Sequence, residues 1–196
     1  MIEISRYEVQ GGVSEYHVMI HVDNPRLAYA EQVKSVLSAY TQLLEGELKG
    51  VVTLLKRFFL SDAANQSDYL QTLLVEQEAC PLSIVEQSPL NGTKIALWAY
   101  LQKGVELKAL SHGMYEVKHG AYRHLWMAGA CHETSDAEAQ TRQLFDDYIT
   151  LLREQGCTLA ENCLRTWFFV QNVDVNYAGV VKARNEVFAT QNLTNQ

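Results

Sequence analysis

The sequence predicts an α+β protein built from two tandem copies of one small domain, on three observations. First, the segment from Tyr7 to Leu44 lies over Tyr115 to Leu152 at a constant offset of 108, without a gap. Nine of those 38 positions are identical, namely Tyr7/Tyr115, Glu8/Glu116, Val9/Val117, Gly12/Gly120, Met19/Met127, Gln32/Gln140, Tyr40/Tyr148, Leu43/Leu151 and Leu44/Leu152; about two would match by chance. Second, both copies mix extended apolar segments with stripes at helical spacing. Third, the first copy carries an Asn-Gly turn between two apolar segments. A period this long indicates two copies of a domain and not a solenoid of short units.

The first copy opens with two extended segments, Glu3–Gln10 and Tyr16–Val22, separated by the turn signal Gly11-Gly12. In the second of these, Val18, Ile20 and Val22 share one face and His17, Met19 and His21 the other. A helix follows over Ala28–Glu45, with the stripe Val33, Val36, Leu37, Tyr40, Leu43, Leu44. Val51–Leu60 reads as a strongly apolar strand. Ser67–Gln77 reads as a second helix burying Tyr69, Leu70, Leu73 and Leu74. Leu82–Gln87 and Thr93–Leu101 read as the arms of a hairpin turning at Pro89-Leu90-Asn91-Gly92.

These elements place the first repeat at residues 1–102 and a linker at 103–113, with the second repeat at 114–196. The second repeat restarts with Met114–Lys118 and His124–Cys131. Ser135 and Glu138 form a capping box at the head of a helix over Asp136–Gln155, which Gly156 ends. Asn162–Val170 matches the strand Val51–Leu60 after a one-residue slip that sets Lys56 over Arg165 and Phe59 over Phe168. Val175–Gln191 is the second helix. Nothing answers to the hairpin of the first copy. A sheet lacking two strands leaves an open edge and an uncovered apolar face. The expectation is that this sequence is part of a longer protein, or that another chain completes the second repeat; the simpler alternative closes repeat two on the first repeat's sheet.

Of 196 residues, 47% are apolar and 20% charged, and the formal net charge is −7. That balance suits one or two globular domains. It argues against a general nucleic-acid surface, which needs clustered Lys and Arg. No run approaches the ~20 apolar residues of a membrane span, and the first residues do not begin a signal peptide. Cys80, Cys131, Cys157 and Cys163 form no CxxC pair and read as thiols in a reducing cytoplasm. His17 and His21, or Cys131-His132-Glu133, lack zinc-site spacing, so no metal site is predicted.

The predicted order β-β-α-β-α-β-β and several residues resemble the Rid/YjgF family (reactive intermediate deaminases, also called endoribonuclease L-PSP), whose members have a chorismate-mutase-like fold. In the second repeat the likeness rests on Tyr115, on Leu125-Trp126-Met127-Ala128-Gly129, where Ala128 replaces the family's serine, on Gln140, on Arg165-Thr166-Trp167-Phe168-Phe169-Val170, and on Asn176–Phe188. In the first it rests on Tyr7, Lys56–Leu60 and Gln87–Gly92. The tandem arrangement also resembles the chorismatases. The resemblance implies a small carboxylate ligand held between repeats or subunits, in a trimer-like homo-oligomer or a pseudo-oligomer, without a cofactor. It places Tyr115 and Gly129 at the ligand.

The family's imine hydrolysis needs a guanidinium for the substrate carboxylate and a glutamate to position water. The resemblance puts both on the final hairpin. Between Arg57 and Arg123 there is no arginine, and between Glu86 and Glu106 no acid, so Lys94 is the hairpin's only cation and Ala96 and Leu97 stand where a glutamate is wanted. No catalytic residue is therefore assigned. The candidate ligand residues are Tyr115, Gly129, Arg165, Trp167 and Arg184. Arg165 and Trp167, two apart on one strand face, either line a carboxylate pocket or are an arginine reaching water beside a core tryptophan. Arg184 either binds an anion or is solvated. The run Trp167-Phe168-Phe169 reads as sheet core. The reading is a Rid-like carboxylate-binding unit, and the alternative is a non-catalytic oligomerisation module.

Overall fold

Val51–Leu60 forms an inner strand of a five-stranded mixed sheet in the computed structural model of the chain, which describes residues 1–74, 79–133 and 136–193. The sheet and its helices are, in chain order, β1 (Ile2–Tyr7), β2 (Ser14–His21), α1 (Tyr29–Glu45), β3 (Val51–Leu60), α2 (Ala63–Leu74), β4 (Leu82–Glu86) and β5 (Ile95–Lys103). Their spatial order is β1-β2-β5-β3-β4. The protein is thus α+β, and residues 2–103 follow the order β-β-α-β-α-β-β. Residues 75–77 of the predicted second helix lie outside the described residues.

The predicted hairpin is corrected. β4 pairs with β3 in parallel, across the α2 connection that parallel strands require, and β5 pairs antiparallel with β2 and β3. So β3 lies between the two arms. The turn itself forms: Gly92 has φ 78°, and its N–H donates to the Pro89 carbonyl at 3.1 Å. Turn chemistry is local and strand partnership is not. β5, buried at most of its positions, belongs where strands cover both of its edges.

The two faces of this sheet have different covers. Val18, Ile20, Phe58, Leu60, Leu97 and Leu101 face the helices and pack with Val33, Val36 and Tyr40 of α1 and Leu70 of α2. Gln32, also fully buried, pins the start of α1: its side-chain Nε2 donates to the Leu27 carbonyl at 2.9 Å, and its Oε1 accepts from the Lys94 N–H at 2.8 Å. Lys56 is drawn into this layer over the Tyr40 ring, 5.5 Å from its centroid.

Part of the opposite face is covered by a second, three-stranded sheet of β6 (Glu106–Ala109), β7 (Met114–His119) and β8 (Tyr122–Met127). The stretch 103–113, read above as a linker, therefore holds a strand, and Val105 and Leu107 pack with Leu55, Tyr100, Val117 and Trp126. The chain divides into two compact units, Met1–Gly129 and Ala130–Gln196, a division that falls inside the predicted second repeat.

The second unit, among the described residues, is helical: α3 (Ala137–Glu154), α4 (Leu159–Asn162) and α5 (Val173–Thr190). Ser135 of the predicted capping box lies outside the described residues. Asp136 caps α3, its carboxylate accepting from the Glu138 N–H at 3.0 Å. Phe145 packs against Phe168 and Phe188, with ring centroids 5.4 and 5.7 Å apart. The predicted strand Asn162–Val170 is corrected: its first residue ends α4, and the rest joins neither sheet. A strand needs a hydrogen-bonded neighbour, and the described part of this unit has no strand to provide one. The same fact overturns the reading of Trp167-Phe168-Phe169 as sheet core, for these residues are 46%, 37% and 50% exposed.

Candidate functional site

Register on the face away from the helices arranges side chains in rows across β2, β5, β3 and β4. One row reads Met19–Trp98–Arg57–Ser83, and the next His21–Ala96–Phe59–Val85. A third places His17 beside Tyr100 and Leu55. The three-stranded sheet covers the Tyr100 end, where Trp126 lies 5.3 Å from the Tyr100 ring. At the other end a groove of about 540 Å³ opens over Met19, His21, Phe59 and Ala96, with Glu3, Asp23 and the loop 87–91 at its rim.

Arg57 sits in the row between cover and groove. β3 carries it on the face opposite Phe58 and Leu60, because alternate residues of a strand point to opposite faces. It is buried, its guanidinium lies 5.4 Å from the Trp98 ring, and its Nε–H donates to the Ser83 hydroxyl at 3.2 Å. The exposed His17 imidazole stacks on the same tryptophan, with centroids 5.8 Å apart and planes 9° from parallel, and meets Tyr100 at 4.9 Å. Burial pushes the Arg57 pKa down, yet a guanidinium remains cationic at neutral pH. A desolvated cation against the Trp98 ring suits a planar anion, which accepts two parallel N–H bonds and stacks.

Beneath the second sheet lies a polar cluster. The Gln102 side-chain Nε2 donates to the Tyr100 hydroxyl at 2.7 Å, and burial pushes that phenol up to about 12, with Glu15 adding to the rise. His124 of β8 is held below its ordinary value by burial first and then by His119, 5.0 Å away, while Glu15 pulls the other way. Folding therefore weakens proton binding at His124, so the unfolded chain holds more protons and stability rises with pH. The contribution is complete above the unfolded value of about 6.5 and drains as the pH falls from there through the folded value. Urea midpoints measured between pH 5 and 7.5 are expected to climb with pH, and His124→Gln is expected to flatten that slope. An unchanged slope in the variant refutes the assignment.

The residues nominated by sequence fall into two groups. Tyr115, half-buried on β7 between Ala109 and Trp126, and Gly129, at φ 72° where an added Cβ would meet the Leu82 carbonyl, belong to the first unit. Arg165, Trp167 and Arg184 belong to the second. There Arg165 is exposed and stacks over Trp167 at 5.4 Å, while Arg184 lies over Phe188 at 6.0 Å and donates to the Asn185 side chain. Sequence reasoning missed Arg57 and Trp98. The available signal was an arginine inside the apolar run Val51–Leu60: on an inner strand, a buried cation there is held for a reason.

Among the described residues, no group of three or more His, Cys, Asp or Glu side chains could hold a metal ion, and no helix is long and apolar enough to cross a membrane. The first unit defines the class: an α+β protein with helices on one sheet face, and on the other a partly covered face that carries the groove and, in a neighbouring row, the buried Arg57. No family model matches the chain, and no curated protein matches it. A solved structure of an uncharacterized protein from Pseudomonas aeruginosa is similar at 16% identity, covering 52% of this chain and 99% of that one with a TM-score of 0.38.

Proposed function

We propose that the chain is a Rid/YjgF-like protein that binds a small planar carboxylate on the open face of its first sheet. The observation that carries this reading is Arg57, buried in a sheet row between the Trp98 ring and the Ser83 hydroxyl. The element order of the first copy supports the family resemblance, and the adjoining groove lies within the size range of small-molecule sites, about 300–1,000 Å³. Arg57 grips the carboxylate, Trp98 and His17 stack on the attached planar group, and Phe59 and Met19 line its apolar end. Ala96 lies on the groove floor. With no acid at that position to hold a water, the proposed activity is binding and no hydrolytic step is assigned.

Titration calorimetry with benzoate and with 2-ketobutyrate tests it. Saturable one-site binding is expected, stronger for benzoate because it stacks. Arg57→Gln is expected to weaken it at least tenfold, equivalent to about 1.4 kcal/mol or more, while Arg165→Gln leaves it unchanged. Absence of saturable binding overturns the reading. Loss in Arg165→Gln alone moves the ligand to the second unit.

A further inference from the structure

The cross-strand row that holds Arg57 ends, on its other side, at an acid. β1 extends the row by one strand, so that it reads Glu3–Met19–Trp98–Arg57–Ser83. Glu3 is on the same sheet face as Arg57, because its neighbour Ile4 packs against the helix-side core and alternate residues of a strand face opposite ways. Every residue lining the groove, Glu3 included, belongs to the first unit. An acid on an edge strand is ordinary in itself, and Glu3 is set apart by its place: it lines the groove and closes the row opposite Arg57.

The other charges of the groove leave Glu3 available. Asp23 accepts from the Met1 amino group at 2.8 Å, and His21 lies one row away, beside Ala96. Among the described residues no ion pair engages Glu3. Neighbouring strands lie about 4.8 Å apart, so three steps separate the Glu3 and Arg57 backbones by roughly 14 Å. Side chains stand roughly perpendicular to a sheet, and a hydrogen bond of about 3 Å at each end leaves roughly 8 Å between two ligand charges. A planar ring with a two-carbon arm opposite its carboxylate spans that gap. We infer that the ligand of the carboxylate site is a zwitterion, its carboxylate at Arg57, its ring over Trp98, its arm over Met19 and its ammonium at Glu3; this rests on the carboxylate reading proposed above. A second carboxylate in place of the ammonium would meet Glu3 as a like charge.

Titration calorimetry at low salt, where exposed charges are least screened, tests this with three benzoates of matched arm: 4-(2-aminoethyl)benzoate, 4-propylbenzoate and 4-(2-carboxyethyl)benzoate. The wild type is expected to bind the amino compound about fivefold tighter than the propyl one, the upper end for an ion pair open to solvent, and the carboxyethyl compound most weakly. Glu3→Gln is expected to erase the gain of the amino compound and to leave the affinity for the propyl compound unchanged. Glu3→Lys is expected to reverse the order, so that the carboxyethyl compound binds tighter than the amino one. Glu3 is exposed, so both variants should fold, which circular dichroism checks. Binding of the propyl compound with no gain for the amino one, or a gain that survives Glu3→Gln, overturns the inference and leaves the carboxylate reading standing. Saturable binding of none of the three overturns both.

Discussion

Phe58→Ala is expected to destabilise the first unit by about 3–5 kcal/mol, the range for deleting a buried aromatic side chain. Phe58 is fully buried on β3, a strand bounded by β5 and β4, and its ring is part of the layer against α1 and α2. Rigid strands on either side limit how far the layer can collapse into the cavity, which keeps the penalty toward the upper part of that range. Small domains have about 5–15 kcal/mol in total, so the variant unfolds at much lower urea with an unchanged m-value. Phe58→Leu, which keeps most of the volume, should lose far less. Urea titration followed by tryptophan fluorescence measures both, since Trp98 and Trp126 lie in this unit. A loss below about 1 kcal/mol for the alanine variant would show that Phe58 is not at a tightly packed centre.

The second large effect is at Gly129. Its φ of 72° is a left-handed conformation, and a Cβ there would stand 2.7 Å from the Leu82 carbonyl oxygen. Gly129→Ala therefore carries two penalties: about 1–2 kcal/mol for a side chain in that conformation, and the displacement of backbone at the start of β4. Gly92 provides the control, with φ 78° and open space within 4 Å of where a Cβ would stand. Gly92→Ala is expected to lose only the conformational part, and Gly129→Ala about 2–4 kcal/mol. Equal losses at the two sites would mean that the close approach to Leu82 contributes nothing. The family resemblance implies a pocket role for Gly129; its left-handed backbone and the lack of room for a Cβ beside Leu82 are a separate physical reason for a glycine there.

Much of the local structure was legible in the sequence. The stripe from Val33 to Leu44 predicted α1, the matching stripe 108 residues on predicted α3, and the alternation over residues 17–22 placed Val18 and Ile20 inward. These are short-range properties, because periodicity reports which face of an element is apolar whatever that face meets. The boundaries of β3 were legible for the same reason. The site was not. In sequence, Arg57 is one of two adjacent cations, with Lys56, in an apolar run, and only register sets it beside Trp98 and Ser83.

What the sequence by itself determined is the four long helices and most of the strands, together with the turn at Asn91-Gly92; the short α4 was not among them. What only the tertiary structure decided is partnership: that β3 separates β4 from β5, that residues 106–109 join a second sheet, and that residues 163–170, apolar as they are, join none. The physical reason is that a helix satisfies its hydrogen bonds within itself, whereas a strand depends on a neighbour that can be distant in the chain or absent from it.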